Sequence, residues 1–284
     1  MRLSRRAELL LRAASAFTLA FIYIPLGVIF IYAFNTSKSL EWPPPGFTTQ
    51  WVGDALANSG ARDAFFTSLE VAAVATILAL VLGSLASLAV ARFSFFGRET
   101  ISFLVILPIA LPGIVTGVAL NTTFTQFLGV DLGFLTVVVG HATFCIVVIY
   151  NNVVARLRRV SGNFEEASSD LGATPWTTFR RVTMPSMQTA LVAGGLLAFG
   201  LSFDEIIVTT FTAGAGIETL PLWIFTNFSR PNQLPIVNVV AVFVILISIL
   251  PVYMAHKLTR EEGGAAPTAG AAPSAVAAEG TAAP

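Results

Sequence analysis

The stretches EEASSDLG at positions 165–172 and VTMP at positions 182–185 decide how this 284-residue chain folds. They belong to one charged segment, punctuated by glycine and proline, in a chain that is 55% hydrophobic and only 11% charged. The segment has the pattern of a soluble helix–turn–helix. A chain of membrane spans rarely carries such a segment unless a partner outside the membrane binds it. It therefore decides between a membrane protein that acts alone and one that a partner drives.

The composition around this segment is that of an integral membrane protein. Soluble domains carry about 25% charged residues, and the mean hydropathy of this chain is +0.78. The apolar residues form long runs and not short alternating segments, so an all-α membrane protein is predicted and not a β-barrel. The formal net charge is zero, which gives no sign of a nucleic-acid partner. The single cysteine, Cys145, lies in an apolar run, so no disulfide framework is expected.

Six apolar runs are each long enough to supply the roughly 20 residues that cross a bilayer as a helix. The first resembles a signal peptide, but it is longer than the usual apolar region of about 7–15 residues, so it is predicted to remain as a span. The six predicted transmembrane helices are residues 13–34, 64–91, 101–124, 134–155, 188–212 and 235–256.

The distribution of lysine and arginine orients these spans. Of the 16 basic residues, all but three fall in segments on one side of the membrane. The three on the other side are Lys38, Arg62 and Arg230. Because cytoplasmic loops carry an excess of positive charge, both termini and the charged loop at 156–187 are predicted to be cytoplasmic.

This orientation divides the chain into a cytoplasmic N-terminus at 1–12, a membrane domain at 13–260 and a cytoplasmic tail at 261–284. The tail is rich in Ala, Gly and Pro, cannot bury enough apolar surface, and is predicted to be disordered. The external segment 35–63 carries Trp42 and Trp51, which suits either a membrane-surface anchor or a docking site for an external partner.

Proline and glycine mark the third span as irregular. Pro108 and Pro112 each remove a backbone hydrogen bond, so a kink is predicted. Gly113 and Gly117 are spaced for close approach of another helix. Broken helices of this kind are common where a transport path opens and closes, and ordinary close packing is the alternative explanation.

The charged loop has its own start and stop signals. A short helix is predicted over 165–171, and Gly172 can adopt the positive φ that ends it. Thr174 is placed as the N-cap of a second helix with Pro175 in its first turn. Pro185 is predicted to end that second helix before the fifth span. The loop then presents either a lever for a soluble partner or a helical hairpin folded on the membrane surface.

The spacing of this loop resembles the EAA loop of ABC-importer permeases. That pattern is Glu-Ala-Ala, three residues, Gly, nine residues, Ile-x-Leu-Pro, and this chain matches its register from Glu166 to Pro185 with conservative changes at Ser168, Val182 and Met184. The flanking stretches extend the likeness to the second permease of spermidine/putrescine-type importers. These stretches are residues 107–117, 140–145, 202–207 and 219–222.

This resemblance implies a type I ABC-importer permease fold with six transmembrane helices and a cytoplasmic coupling helix. It also implies two ATPase subunits, a second six-span permease that forms a heterodimer, and an extracytoplasmic solute-binding protein. The chain itself has no Gly-x-x-x-x-Gly-Lys-Ser/Thr loop. It is therefore not expected to be an enzyme or to hold a cofactor, and ATP and magnesium belong to the partner. The coupling residues that the resemblance assigns are Glu165, Glu166, Ala167, Asp170, Gly172 and Pro185.

Two acidic residues lie inside the fifth apolar run. An ionised side chain near the bilayer centre costs about 2.5–3.5 kcal/mol, so such residues usually serve a function. Asp204 is assigned to the solute path, together with Ser202, as a group that coordinates a cationic amine. Glu205 points about 100° away on a continuous helix and is assigned to pairing with another helix or with the partner permease. The two roles could be reversed, or both residues could only hold the bundle together.

The sequence thus predicts a permease subunit in the bacterial inner membrane that passes a small cationic solute, a polyamine or another amine or amino-acid derivative. A proton-coupled secondary transporter and a membrane scaffold are the alternatives from other classes. No metal site is predicted, because His141 and His256 have no partners at metal-ligand spacing.

Overall fold

The structure is a computed structural model that describes residues 4–39 and 41–263, and over these residues every regular element longer than an isolated bridge is helical. The predicted all-α class is confirmed for this part of the chain. The helices, in chain order, are α1 (Arg5–Ala33), α2 (Gln50–Ala57), α3 (Ser59–Arg92), α4 (Arg98–Ala110), α5 (Gly113–Thr122), α6 (Phe134–Arg159), α7 (Asn163–Asp170), α8 (Pro175–Thr178), α9 (Met184–Phe203), α10 (Ile207–Thr212), α11 (Leu220–Phe228) and α12 (Leu234–Gly263).

Four of these helical stretches are long and apolar enough to cross a membrane as they stand. They are α1, α3, α6 and the continuous stretch Pro175–Phe203, which joins α8 to α9. A fifth crossing results if the bent pair of α4 and α5 counts as one span, and the apolar part of α12, Leu234–Leu250, is shorter. The predicted first and last boundaries differ slightly, because α1 already begins at Arg5 and α12 continues to Gly263. Residues 264–284 of the predicted tail and the side chain of His256 lie outside the described residues.

The third apolar run is bent by 106° between α4 and α5, which confirms the predicted kink. The bend occurs at Leu111, whose backbone is extended with φ −82° and ψ 146°. Proline disfavours the helical conformation in the residue before it, so Pro112 explains why α4 ends there. Pro108 lies inside α4 and does not end it.

The prediction that Pro185 ends the second loop helix is wrong. Pro185 lies in the first turn of α9, and the helix runs without interruption from Pro175 to Phe203. The turn before it, Phe179–Thr183, is π-helical, with the Met184 N–H donating to the Phe179 carbonyl five residues earlier. Proline lacks an N–H, and a local π adjustment is one way in which a continuous helix tolerates the missing hydrogen bond.

The prediction of a continuous helix over the fifth apolar run is also wrong. The run 188–212 is split into α9, which ends at Phe203, and α10, which begins at Ile207. Asp204 and Glu205 therefore lie in a helix break at residues 204–206, and the rotation of about 100° between helical neighbours does not describe them.

The core of the bundle is built on close contact between α3 and α6, with α9 packed against both. At Gly83 a Cβ atom would lie only 2.9 Å from Ile149 Cβ, so this crossing depends on the absence of a side chain. One turn later Ser87 Oγ donates to the Gly83 carbonyl at 2.6 Å and lies 3.3 Å from the Tyr150 carbonyl on α6. These contacts hold α3 and α6 together as a packed pair, which we call the α3–α6 frame. The charged loop and the helix break at 204–206 are both attached to it.

Candidate functional sites in the charged loop and at the helix break

The turn of the charged loop has the geometry predicted from its sequence. Gly172 has φ +79°, its N–H donates to the Ser169 carbonyl at 2.9 Å, and α7 ends two residues before it. Thr174 caps α8 by accepting the N–H of Thr177 at 3.3 Å, and Pro175 occupies the first turn. The loop is therefore a sharp helix–turn–helix whose conformation is set by its own residues.

Glu165 points back toward the membrane helices. Its Oε2 lies 3.0 Å from Arg92 Nε at the end of α3, and its Oε1 accepts the Thr183 hydroxyl at 2.9 Å. The Arg92 Nη1 donates to the Leu157 carbonyl on α6 at 3.2 Å. The two charged side chains are only 17% and 23% exposed. We call this set of Arg92, Glu165 and Thr183 the clasp, because it ties α7 and the π turn to the ends of α3 and α6.

The remaining predicted coupling residues of α7 face outward. Glu166, Ala167 and Asp170 are exposed, in contrast to Glu165. Leu171 at the end of the same surface is 89% exposed. The exposed ring of Trp176 stacks on Phe179 with 5.6 Å between centroids, so the turn ends in an apolar tip. The predicted coupling set thus divides into an inward anchor and an outward surface that combines acidic and apolar groups.

At the helix break the two acidic residues have different surroundings. Glu205 Oε1 accepts the Val208 N–H at 2.8 Å and so caps the start of α10. Asp204 is exposed, and its carboxylate makes no hydrogen bond or ion pair to any residue that the structure describes. One carboxylate therefore satisfies the backbone of the break, while the other is free to meet a cation.

Ser202 is not placed as predicted for a group that contacts solute. It is 2% exposed, and its Oγ lies 2.8 Å from Nδ1 of His141 on α6. The other ring nitrogen, Nε2, lies 2.8 Å from Thr209 Oγ1 on α10. Sequence reasoning missed His141 and Thr209, although His141 stood in one of the stretches that carry the family resemblance.

The short helix α10 is held in place by α5 on its other side. A Cβ at Gly113 would lie 3.3 Å from Ile207, and a Cβ at Gly117 would lie 2.6 Å from Phe211. One turn further, Asn121 Nδ2 donates to the Phe211 carbonyl at 2.7 Å. The predicted close approach at this glycine pair is therefore confirmed, and it positions the segment that follows the break.

A third acidic residue in a predicted span was also missed. Glu70 is exposed on α3, within the run 64–91. Phe65 lies five residues before Glu70 on the same helix, and its ring packs against Phe203 with 6.0 Å between ring centroids. Glu70 is therefore near the level of the last turn of α9. A carboxylate within the predicted span 64–91 is the signal that could have identified Glu70 as a candidate site residue.

Solved structures of bacterial transporters share the fold of this chain. A bacterial ABC transporter that imports the acidic polysaccharide alginate aligns with a TM-score of 0.62 at 18% identity, covering 92% of this chain and 99% of that chain. The alginate transporter in complex with its pentasaccharide-bound periplasmic protein aligns at 0.69 and 13% identity, covering 90% and 94%. At such identities the likeness concerns the fold alone, and this fold is the type I ABC-importer permease fold.

Residues 79–261 match the family model described as binding-protein-dependent transport system inner membrane component, and the chain belongs to this family. The putrescine transport system permease protein PotI of Escherichia coli (strain K12) is 34% identical over 79% of this chain and 82% of its own length. The spermidine/putrescine permease PotC of the same strain is 31% identical over 86% and 91%.

A third relative is the putative 2-aminoethylphosphonate transport system permease protein PhnV of Salmonella paratyphi A (strain ATCC 9150 / SARB42). It is 30% identical over 83% of this chain and 88% of its own length. Family and fold together identify the chain as a permease subunit of an ATP-driven importer in the bacterial inner membrane, and not as an enzyme.

Proposed function

We propose that this permease passes a small polycationic amine, of the polyamine class, through a path that includes Asp204. The observation that carries the proposal is the exposed, unpaired carboxylate of Asp204 at a break in an otherwise apolar helix. A free carboxylate in apolar surroundings is costly, and an ammonium group that binds there recovers part of that cost. The putrescine and spermidine systems named for the relatives support the same solute class.

Glu205 has a different role in this proposal. Its carboxylate already accepts the Val208 N–H, so it stabilises α10 and does not coordinate the solute. The break thus combines a backbone cap and a solute-binding group in neighbouring residues. Ser202 acts indirectly, through His141, and not as a solute contact.

The assembly that we propose has this chain paired with a second six-span permease as a heterodimer, with both termini in the cytoplasm. A solute-binding protein delivers the amine from outside, and two ATPase subunits grip the outward surface formed by Glu166, Ala167, Asp170 and the turn at Gly172. ATP binding draws the ATPases together and shifts the permease pair between inward-open and outward-open states through its different affinity for the two. The clasp transmits that movement from the loop to α3 and α6.

A second candidate solute is an amine that also carries an anionic group. The relative named for 2-aminoethylphosphonate supports it, since that compound shares an ammonium group with the polyamines. The unpaired Asp204 favours the polycation, because a carboxylate repels a phosphonate or carboxylate on the same small molecule. Competition between putrescine, spermidine and 2-aminoethylphosphonate for uptake separates these classes.

The decisive experiment is solute uptake by the whole transporter in proteoliposomes, comparing Asp204→Asn with wild type. We expect uptake to fall by at least about tenfold, because the amide is isosteric but no longer attracts a cation. Assembly with the ATPase should persist. Asp131→Asn, which removes an exposed carboxylate outside the predicted spans, is the control and should leave uptake unchanged.

Unchanged uptake by Asp204→Asn would remove this residue from the path. Glu70→Gln belongs in the same series, and a loss confined to that variant would move the cation site to α3. Uptake that needs a proton gradient and no ATP would favour a secondary transporter, and a complete lack of uptake would favour a scaffold.

A further inference from the structure

We propose that His141 is a positioning residue of the solute path. Its imidazole ties the two halves of the broken fifth apolar run together, and this tie keeps the Asp204 carboxylate exposed. The inference rests on the path role proposed for Asp204, and it adds a residue that itself never touches the solute.

The imidazole bridges the helix break from the side. His141 is fully buried on α6, 2.8 Å from the Ser202 hydroxyl at the end of α9 and 2.8 Å from the Thr209 hydroxyl on α10. Ser202 lies two residues before Asp204, and Thr209 lies five residues after it. A single rigid ring therefore fixes the separation of the two helix ends.

The hydrogen bonds assign one tautomer to this ring. The Thr209 hydroxyl donates to the Glu205 carbonyl at 3.0 Å, so its proton is used and its oxygen accepts from His141 Nε2–H. The proton of His141 then lies on Nε2, and Nδ1 accepts the Ser202 hydroxyl proton. The resulting chain runs in one direction from Ser202 through His141 and Thr209 to the Glu205 carbonyl.

This chain explains why the helix is interrupted at all. Residues 201–212 contain neither glycine nor proline, so the usual local signals for a helix break are absent. Inside a membrane, a break is tolerated only where its freed backbone groups find partners. Glu205 takes the Val208 N–H, and Thr209, held by His141, takes the Glu205 carbonyl.

Without the imidazole, the Ser202 hydroxyl loses its partner on α6, while Thr209 keeps its bond to the Glu205 carbonyl. Serine and threonine in helices can bond the carbonyl four residues earlier, which for Ser202 is Ala198. We therefore expect loss of His141 to leave the protein folded but to let helix re-form across residues 204–206. Asp204 would then turn away from its exposed position.

The test is the chemical accessibility of position 204, which is independent of transport. The only cysteine, Cys145, is buried, so Cys145→Ala gives a background without cysteine. In that background, Asp204→Cys in the assembled transporter is labelled with a hydrophilic thiol reagent. Adding His141→Leu should slow labelling by about tenfold, the factor that corresponds to one or two lost hydrogen bonds. His141→Gln, which keeps a donor and an acceptor, should restore most of the rate.

A second pair of variants covers the case in which His141→Leu fails to assemble. Thr209→Val removes only one end of the bridge and should slow labelling by about threefold. Thr210→Val is the matched control, because that exposed hydroxyl bonds only the Ile206 carbonyl, and it should label at the original rate. The same variants made in the wild-type protein, which retains Asp204, should rank in the same order for uptake. His141→Leu should raise the half-saturation concentration for uptake, and His141→Gln should restore it.

Labelling that stays within about twofold of the reference in both His141→Leu and Thr209→Val overturns the proposal. Equal slowing by His141→Gln and His141→Leu also overturns it, because packing and not hydrogen bonding would then be responsible. Normal uptake by Asp204→Asn would refute the proposed solute path alone, since the labelling comparison does not depend on transport.

Discussion

The helical chain is interrupted in two functionally interesting places, and the two interruptions are built differently. At the charged loop, Gly172, Thr174 and Pro175 end one helix and start the next within four residues. At the helix break, residues 204–206 contain neither glycine nor proline, and side chains distant in sequence bridge the two helix ends. Where solvent can satisfy backbone groups, local residues suffice to turn the chain. At the break, which lies within a predicted span, buried side chains from elsewhere in the fold hold the turn.

The two interruptions also differ in how they are anchored to the α3–α6 frame. The loop is held by an ion pair between Arg92 and Glu165, near the helix ends. The break is held by the imidazole of His141 and two hydroxyl groups, and no ion pair joins it to any of the described residues. A charged pair is acceptable where water is near, whereas an apolar interior favours a completely satisfied neutral chain.

After the loss of uptake expected for Asp204→Asn, the largest effect is expected from two neighbouring glutamates of the loop. Glu165→Gln should destabilise the permease by about 2 kcal/mol, because it leaves the Arg92 charge largely buried without its partner. Glu166→Gln, one residue along, removes an exposed carboxylate and should change stability by less than about 0.5 kcal/mol. Thermal unfolding of the two purified variants in detergent measures the difference.

Glu165→Gln and Glu166→Gln should also differ in how they affect uptake and binding of the ATPase. Both should reduce ATP-driven uptake, but only Glu165→Gln should do so while the ATPase still binds with its original affinity. If the two variants unfold at the same temperature, the distinction between an inward anchor and an outward surface is lost.

The next effect concerns the seat of α10 on α5. Gly117→Ala places a Cβ 2.6 Å from Phe211 and should cost about 2 kcal/mol by overpacking. Gly113→Ala places one 3.3 Å from Ile207, where a small shift of that side chain suffices, and should cost less than about 1 kcal/mol. Thiol labelling at position 204 should change with Gly117→Ala only. Equal behaviour of the two would show that α5 does not position the break.

The smallest effect is expected at the turn of the loop. Gly172→Ala forces an L-residue to φ +79° and should cost about 1 kcal/mol. Gly162→Ala, at φ −61° with open space around its Cβ, should be neutral or stabilise by up to about 1 kcal/mol. Unfolding midpoints give the sign of each change. A destabilising Gly162→Ala would mean that the start of α7 is constrained by contacts and not only by backbone conformation.

The contrast between the two interruptions also sets the limit of prediction from sequence. Gly172, Thr174 and Pro175 were predictable because each acts through its own backbone, and the bend before Pro112 follows for the same reason. The break at 204–206 was not, because its hydrogen bonds cross 61 and 68 residues of sequence to reach His141. The inward direction of Glu165 likewise depends on Arg92, 73 residues away. Local chemistry predicts where helices begin and end, whereas tertiary contacts decide which side chains are free.

The π turn at Phe179–Thr183 has a consequence for how the loop and the break are related. Each residue of an α-helix adds about 100° of rotation and about 1.5 Å of rise. A π turn closes its hydrogen bond one residue later, so it holds an additional residue and changes the rotational phase of everything that follows. Because this turn absorbs one residue, each later residue of α9 faces about 100° away from the direction that its position in an uninterrupted α-helix would give it. This single wide turn therefore sets which face of α9 meets its neighbours.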